Sequence, residues 1–323
     1  MADTTAIEWC DSTFNPWIGC TKVSPACDDC YAARSTPART LGIQWGPHAE
    51  RRRTSPSTWK QPLAWERQHE AFFAQHGRRR RVFCASLADV FDNQVPAQWR
   101  MDLFSLIAET PHLDWLILTK RIGNVMPMCS GDSLMFEMLG RNVWLGATVC
   151  NQAEADRDVP KLLAAPARVR FLSIEPMLGP IDLLATGDTL CRCEGCLNMA
   201  KQHPDHPGLQ RIDWVICGGE SGPQGRPMHP DWARGLRDQC AAAGVPFLFK
   251  QWGEWVPRGP EQWGYPIVED VPRFRMTEHG ENGQDLAAEG NNHVWMNRAG
   301  KKAAGRMLDG RTHDGFPRTM ETA

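Results

Sequence analysis

"VFCASLADVFDNQVPAQWRMDLFSLIAETPHLDWLILTK", Val82 to Lys120, decides the fold. It opens on a short apolar run, "VFCAS" (82–86), and closes on another, "WLILT" (115–119). Between them lies "PAQWRMDLFSLIAET", a longer amphipathic stretch of the kind that forms a helix. Short, continuous apolar runs are what strands buried on both faces look like. Strand, helix, strand in that order is a parallel crossover unit.

The unit recurs outward from there. Further strands are read at "VWLGATV" (143–149), "VRFLSI" (169–174), "WVICGG" (214–219) and "PFLFKQW" (246–252). Helices are read at "NQAEADRDVPKLLAA" and "HPDWARGLRDQCAAAG", and one more strand is expected before Cys20. The chain is therefore expected to be α/β, with a parallel sheet forming a full or partial TIM-type β/α barrel. An open, flavodoxin-like sheet stays as the alternative, because periodicity carries no information on closure. The core of this fold is expected to span residues 1–255. An Arg- and Trp-rich insertion (33–81) and a Cys/His-rich insertion (185–211) interrupt it, and residues 256–323, rich in Gly and Pro, form an irregular C-terminal wrap or lid.

Polar residues collect where each strand hands over to its loop: Ser86 and Asp89, Thr119 and Lys120, Thr148, Ser173 and Glu175, Glu220 and Ser221, Lys250 and Gln251. In parallel α/β barrels that edge carries the active site. The turn "GGESG", Gly218 to Gly222, adds a place where backbone can approach a ligand closely.

Composition narrows the function classes. With 42% hydrophobic and 23% charged residues the chain of 323 is an ordinary globular one, which excludes disordered and fibrous classes. No apolar run reaches the roughly 18 residues of a membrane span, and "MADTTAIEWCD" lacks a signal peptide's basic and apolar regions. A cytoplasmic protein without membrane partners is expected. In a reducing compartment the twelve cysteines serve metal binding, catalysis or burial in place of disulfides. Cys10, Cys84, Cys129, Cys150, Cys217 and Cys240 are scattered, several in apolar runs, and are read as core residues. The others form two tight groups.

The first is "CTKVSPACDDCYA", with Cys20, Cys27 and Cys30 spaced C-x6-C-x2-C. A structural zinc site wants four protein ligands, commonly in two close pairs, whereas a four-iron cluster tolerates one iron without a protein ligand. A zinc site completed by a remote residue is the alternative. The second group is "CRCEGCLNMAKQHPDH", in which Cys191, Cys193, Cys196, His203 and His206 offer thiolates and imidazoles for a zinc ion, with an auxiliary iron-sulfur cluster or no metal as the alternatives. The net charge of −2 gives no global attraction to nucleic acid. Even so, "ERRRTS" (Arg51 to Arg53) and "GRRRRV" (Arg78 to Arg81) flank tryptophans, a composition suited to phosphate contact and base stacking or, equally, to a solvated helical insertion.

Taken with "IEWCDSTFNPWIGCTKVSPACDDCYAAR", the stretches "LSIEPMLGPI", "DWVICGGESGPQGRPMHPDW", "PFLFKQWGEW" and "GKKAAGRMLDG" resemble the phage-associated three-cysteine protein family of the radical S-adenosylmethionine superfamily. The first gap between cysteines is longer than the superfamily's usual three residues. The resemblance implies a 4Fe-4S cluster on Cys20, Cys27 and Cys30 that binds S-adenosyl-L-methionine and generates a 5′-deoxyadenosyl radical. By their position at the strand ends, Ser86, Lys120, Thr148, Ser173, Glu175, Gly218, Gly219 and Glu220 are the expected contacts to that cofactor, with a solvated strand end the alternative for Lys120 and an Arg-paired carboxylate for Glu175; Tyr31 is expected near the cluster or the adenine, or packed in the core. The resemblance also implies an electron donor such as flavodoxin or ferredoxin, and the host cytoplasm as the setting. The substrate it points to is a nucleobase in DNA, flipped out or single-stranded. The reaction would be radical isomerisation of an amino-acid-modified thymidine in phage DNA hypermodification, which evades host restriction. Photoproduct repair, radical modification of a peptide or metabolite, and a zinc-stapled nucleic-acid-binding protein without catalysis are the rival readings.

Overall fold

The computed structural model describes residues 5–183, 212–280 and 293–318. Nine strands lead up to the C-terminal region: β1 (Ser12–Phe14), β2 (Trp17–Ile18), β3 (Arg52–Arg53), β4 (Arg80–Cys84), β5 (Leu113–Thr119), β6 (Val143–Thr148), β7 (Val169–Ile174), β8 (Trp214–Gly218) and β9 (Phe247–Gln251). Seven of them form one parallel sheet in the order β1-β4-β5-β6-β7-β8-β9, while β2 and β3 pair antiparallel beside it. The fold is α/β, and all six expected strand runs fall on strands of this sheet. A strand precedes Cys20 as expected. Among the described residues no helix is long and apolar enough to cross a membrane.

The chain falls into two compact units: residues 1–147 with 164–171 and 318–323, and residues 148–163 with 172–317. In the first, β4 pairs with β1 and β5, and β5 with β6, each parallel. Helix Ala97–Ala108 turns Arg100, Leu103, Phe104 and Ile107 inward, an i, i+3, i+4, i+7 stripe. Arg100 is tolerated there because its guanidinium donates to the carbonyls of Val90 and Asp92 at 3.0 and 3.1 Å. Trp9, Phe14, Trp115 and Trp144 fill the core, and Gly146 is glycine because a Cβ would stand 2.3 Å from the Phe171 ring. The insertion after the first cysteine group contains helices Pro56–Trp59, Gln61–Glu66 and His69–His76, and two further helices, Ile122–Cys129 and Ser133–Arg141, follow β5.

In the second unit, β8 and β9 pair in parallel, and helix Pro230–Ala243 starts on an His229 cap and stops at Gly244 in the left-handed region. Helix Gln152–Leu163 is capped by Asn151, whose side chain accepts from the Glu154 amide while the Glu154 carboxylate takes the Cys150 amide. The C-terminal region is more regular than its composition implies: β10 (Val256–Pro257), β11 (Arg273–Thr277) and β12 (His293–Asn297) form an antiparallel sheet. Beyond it the chain runs along β9, with the Phe249 amide on the His313 carbonyl and the Gly315 amide on the Phe247 carbonyl, both 2.9 Å, so this strand edge is covered. The Cys/His-rich insertion, with Cys191, Cys193, Cys196, His203 and His206, lies outside the described residues.

Candidate active site

The scattered cysteines Cys10, Cys84, Cys129, Cys150, Cys217 and Cys240 are all buried, as expected of core residues. The first cysteine group is built differently. Gly19, at φ +112°, turns the chain out of β2 into Cys20; a side chain there would crowd Arg51 and strain the backbone. The Gly19 amide holds on to the Leu87 carbonyl at 3.1 Å, which anchors the cysteine segment beside the end of β4. Ser24 caps a single turn, Pro25–Cys27, and the Cys30 amide meets the Cys27 carbonyl at 3.4 Å. Cys27 is buried, whereas Cys20 and Cys30 are half-buried.

A four-member charge network closes over Cys20. The Arg121 guanidinium lies 3.4 Å from Cys20 Sγ, 3.0 Å from Asp89 Oδ2 and 2.7 Å from the Thr21 carbonyl. Arg51 donates twice to Asp92 Oδ2, at 2.9 and 2.7 Å, and once to Thr21 Oγ1 at 2.6 Å. Asp89 is fixed further by Thr119 Oγ1 at 2.7 Å and the Lys120 amide at 3.1 Å. Two carboxylates and two guanidiniums cancel, so a thiolate at Cys20 would add an uncompensated negative charge. Burial, then the nearby Asp89 carboxylate, pushes the Cys20 thiol up to about 11 against the pull of Arg121. Loading a metal there must displace that proton.

Ser86 sits just after Ala85, which adopts a left-handed conformation at φ 65°. Its hydroxyl pairs with the Asn15 side chain at 3.0 Å, and its carbonyl accepts from the Tyr31 hydroxyl at 2.9 Å. Tyr31 is 58% exposed, so it is no core residue. Arg121, Asp89, Asp92 and Arg51 are the functional candidates that reading by strand ends ranked too low. The signal was present in the acid pair of "ADVFD" and in "TKR", where the neighbour of Lys120 supplies the contact.

The second unit holds a separate constellation. Ser173 Oγ donates to Glu175 Oε2 at 3.2 Å, and Lys250 Nζ stands 3.0 Å from Glu175 Oε1, in ion-pair reach but outside hydrogen-bond alignment. Gly218 lies under the same carboxylate: a Cβ would be 2.7 Å from Oε1. At Gly219 a Cβ would overlap the Trp252 carbonyl at 1.9 Å, so this turn admits only glycine. Gln251 donates to Ser221 Oγ at 2.9 Å, and its buried Oε1 has no partner among the described residues. Thr148 ends β6 as a buried residue. Glu220 is spoken for, because both its oxygens receive Arg226 at 2.6 to 2.9 Å.

The arginine runs are not a free basic surface. Arg51 is paired inside the network above, Arg53 packs on Trp59 and pairs with Asp102, and Arg78 binds Asp11. Arg80 covers Phe72, and buried Arg81 covers Trp144. Phosphate contact by Arg51 is thereby corrected: its side chain is 1% exposed.

The class these observations define is an α/β protein with polar side chains at the carboxyl ends of parallel strands. Within it, the sequence matches over residues 4–317 the family described as "Protein of unknown function (DUF5131)", and the chain belongs to that family. No curated protein and no solved structure matches it.

Proposed function

We propose that this protein is a radical S-adenosylmethionine enzyme that modifies a nucleobase in DNA, most specifically by radical isomerisation of an amino-acid-modified thymidine. The sheet is then read as a partial TIM-type β/α barrel. One observation carries the proposal: three cysteine thiols follow β1 of the parallel sheet and the short β2, and a pinned guanidinium rests on one of them.

The donor set favours an iron-sulfur cluster over a single ion. Three thiols supplied by one short segment suit a four-iron core, which tolerates one iron without a protein ligand. When bound, the cluster and S-adenosylmethionine together supply one-electron cleavage of the sulfonium and hence the 5′-deoxyadenosyl radical.

The chain's own residues do the rest. Cys20, Cys27 and Cys30 supply the thiolates, and Arg121, held by Asp89, donates to Cys20. Lys120 serves a carboxylate, and Ser86 and Thr148 serve an amino group or ribose. Within the second unit Ser173 with Glu175 offers groups suited to ribose hydroxyls, and Gly218 and Gly219 leave the backbone bare beside them. Anaerobically purified protein should be brown, with absorbance near about 400 nm from thiolate-iron charge transfer. Nucleosides of DNA exposed to the active protein should show a changed base by mass spectrometry. Colourless protein carrying stoichiometric zinc would overturn the cluster, and unchanged nucleosides would overturn the DNA substrate.

A further inference from the structure

Outside these clusters one group of metal-ligating side chains is unused. Glu66 ends helix Gln61–Glu66, His69 begins helix His69–His76, and His112 immediately precedes β5. The Glu66 carboxylate straddles His112: Oε2 accepts its backbone amide at 3.2 Å, and Oε1 lies 2.5 Å from ring Nδ1. The His69 ring stacks on the His112 ring, with centroids 3.8 Å apart and planes 11° from parallel. One donor atom from each of the three falls within 4.8 Å of the others.

On His69 the lone pair is set as a metal site needs it, while the His112 Nδ1 faces the Glu66 carboxylate. His69 Nδ1 is 2.8 Å from the Glu66 carbonyl, which can only accept, so Nδ1 carries the proton and Nε2 keeps its lone pair. A backbone carbonyl fixing the far nitrogen is the usual outer support of a metal-bound histidine. Glu66 and His69 are three residues apart across a helix junction, and His112 comes from elsewhere in the chain. A shared ion would therefore tie the helical insertion to the start of β5. All three side chains are half-buried, which leaves a path for the ion and water.

We infer that Glu66, His69 and His112 form a binding site for a borderline divalent cation of the zinc class. Two imidazoles and one carboxylate are a ligand set that suits such an ion, and a fourth position stays open for water. At metal bonds of about 2.0–2.1 Å the donors must sit ~3.3 Å apart, so binding rearranges them and tilts the stacked rings out of parallel. The site uses no cysteine and does not rest on the radical reading. The bland alternative is a hydrogen-bonded His–Glu pair with a stacked ring that binds nothing.

The test uses the full chain, stripped with a chelator, dialysed against zinc and analysed for metal content. Glu66→Gln, His69→Gln and His112→Gln should each hold one zinc fewer than the parent, whatever the cysteines bind, and should lose the parent's zinc-induced rise in Tm. Equal zinc in the parent and all three variants overturns the site. A measurement on the parent alone covers variants that fail to fold: zinc should protect His69 and His112 from diethyl pyrocarbonate, mapped by peptide mass spectrometry. Labelling of both histidines unchanged by zinc overturns it equally.

Discussion

At Cys20 the protein places a thiol where a thiolate is unwelcome, its charge opposed by burial and by Asp89. A group held protonated in this way becomes useful when a metal replaces the proton, so metal loading should release protons and improve as pH rises. Cys20→Ala, Cys27→Ala and Cys30→Ala should each lose the iron and sulfide of the reconstituted protein; a full complement in any one shows that residue is not a ligand. The neighbouring Arg51–Asp92 pair makes a separate prediction, since its side chains are 1% and 3% exposed. Removing one member takes the main partner from a buried charge, at a cost of up to ~3–5 kcal/mol, so Asp92→Leu or Arg51→Met should unfold at markedly lower denaturant. The double substitution should recover part of that loss. Additive losses in a double-mutant cycle would show that the pair is not coupled.

At the scale of elements, the legible part of the sequence was the part written in hydrophobic runs. Strands buried on both faces leave an unmistakable signature, and β5 to β9 were located from it to within two residues at either end. β11, "RFRMT", and β12, "HVWMN", escaped because a half-exposed antiparallel strand mixes polar with apolar residues and resembles loop amid Gly and Pro. Helices Ile122–Cys129 and Ser133–Arg141 were passed over because they are short, and the first carries Pro127. Nor did the sequence disclose how the C-terminal segment is held. Asp309 accepts from Arg234 and Arg237 of helix Pro230–Ala243, all at about 3 Å or less. Burial raises its carboxyl, but the two guanidiniums outweigh this and hold it below the usual carboxylate range. With a depressed folded-state pKa the contribution is full above the unfolded value of about 3.9 and vanishes as pH falls through the folded value. Asp309→Asn keeps a residue that tolerates the φ of 53° and should cost about 1–2 kcal/mol at neutral pH. The parent and variant should converge in stability as pH falls through the folded-state value; a gap that persists in acid would mean the carboxylate's charge is not what holds the segment.

For the molecule as a whole the open question is its partner, and here side-chain contacts change what composition appeared to say. Composition counts arginines, but affinity for a polyanion depends on those whose charge faces solvent. Of the two runs, Arg51 and Arg81 are buried, Arg53 and Arg78 are paired with Asp102 and Asp11, and Arg80 lies over Phe72. Arg52 is exposed, its guanidinium touching only the Leu41 carbonyl at 3.3 Å among the described contacts. Substitutions should therefore separate two roles that the sequence merges. Arg81→Ala should lower Tm, because it removes a buried cation from the Trp144 face, and should leave the salt dependence of any DNA binding in the folded protein unaltered. Arg52→Ala should leave Tm near that of the parent. If the protein tracks phosphates through this segment, the same change should flatten the slope of log affinity against log salt by about 0.7 on single strands or about 0.9 on duplex. Fluorescence anisotropy across a salt series decides the matter. A slope that Arg52→Ala does not alter would move the DNA contact off this segment, and salt-insensitive binding by the parent would remove DNA as the substrate altogether.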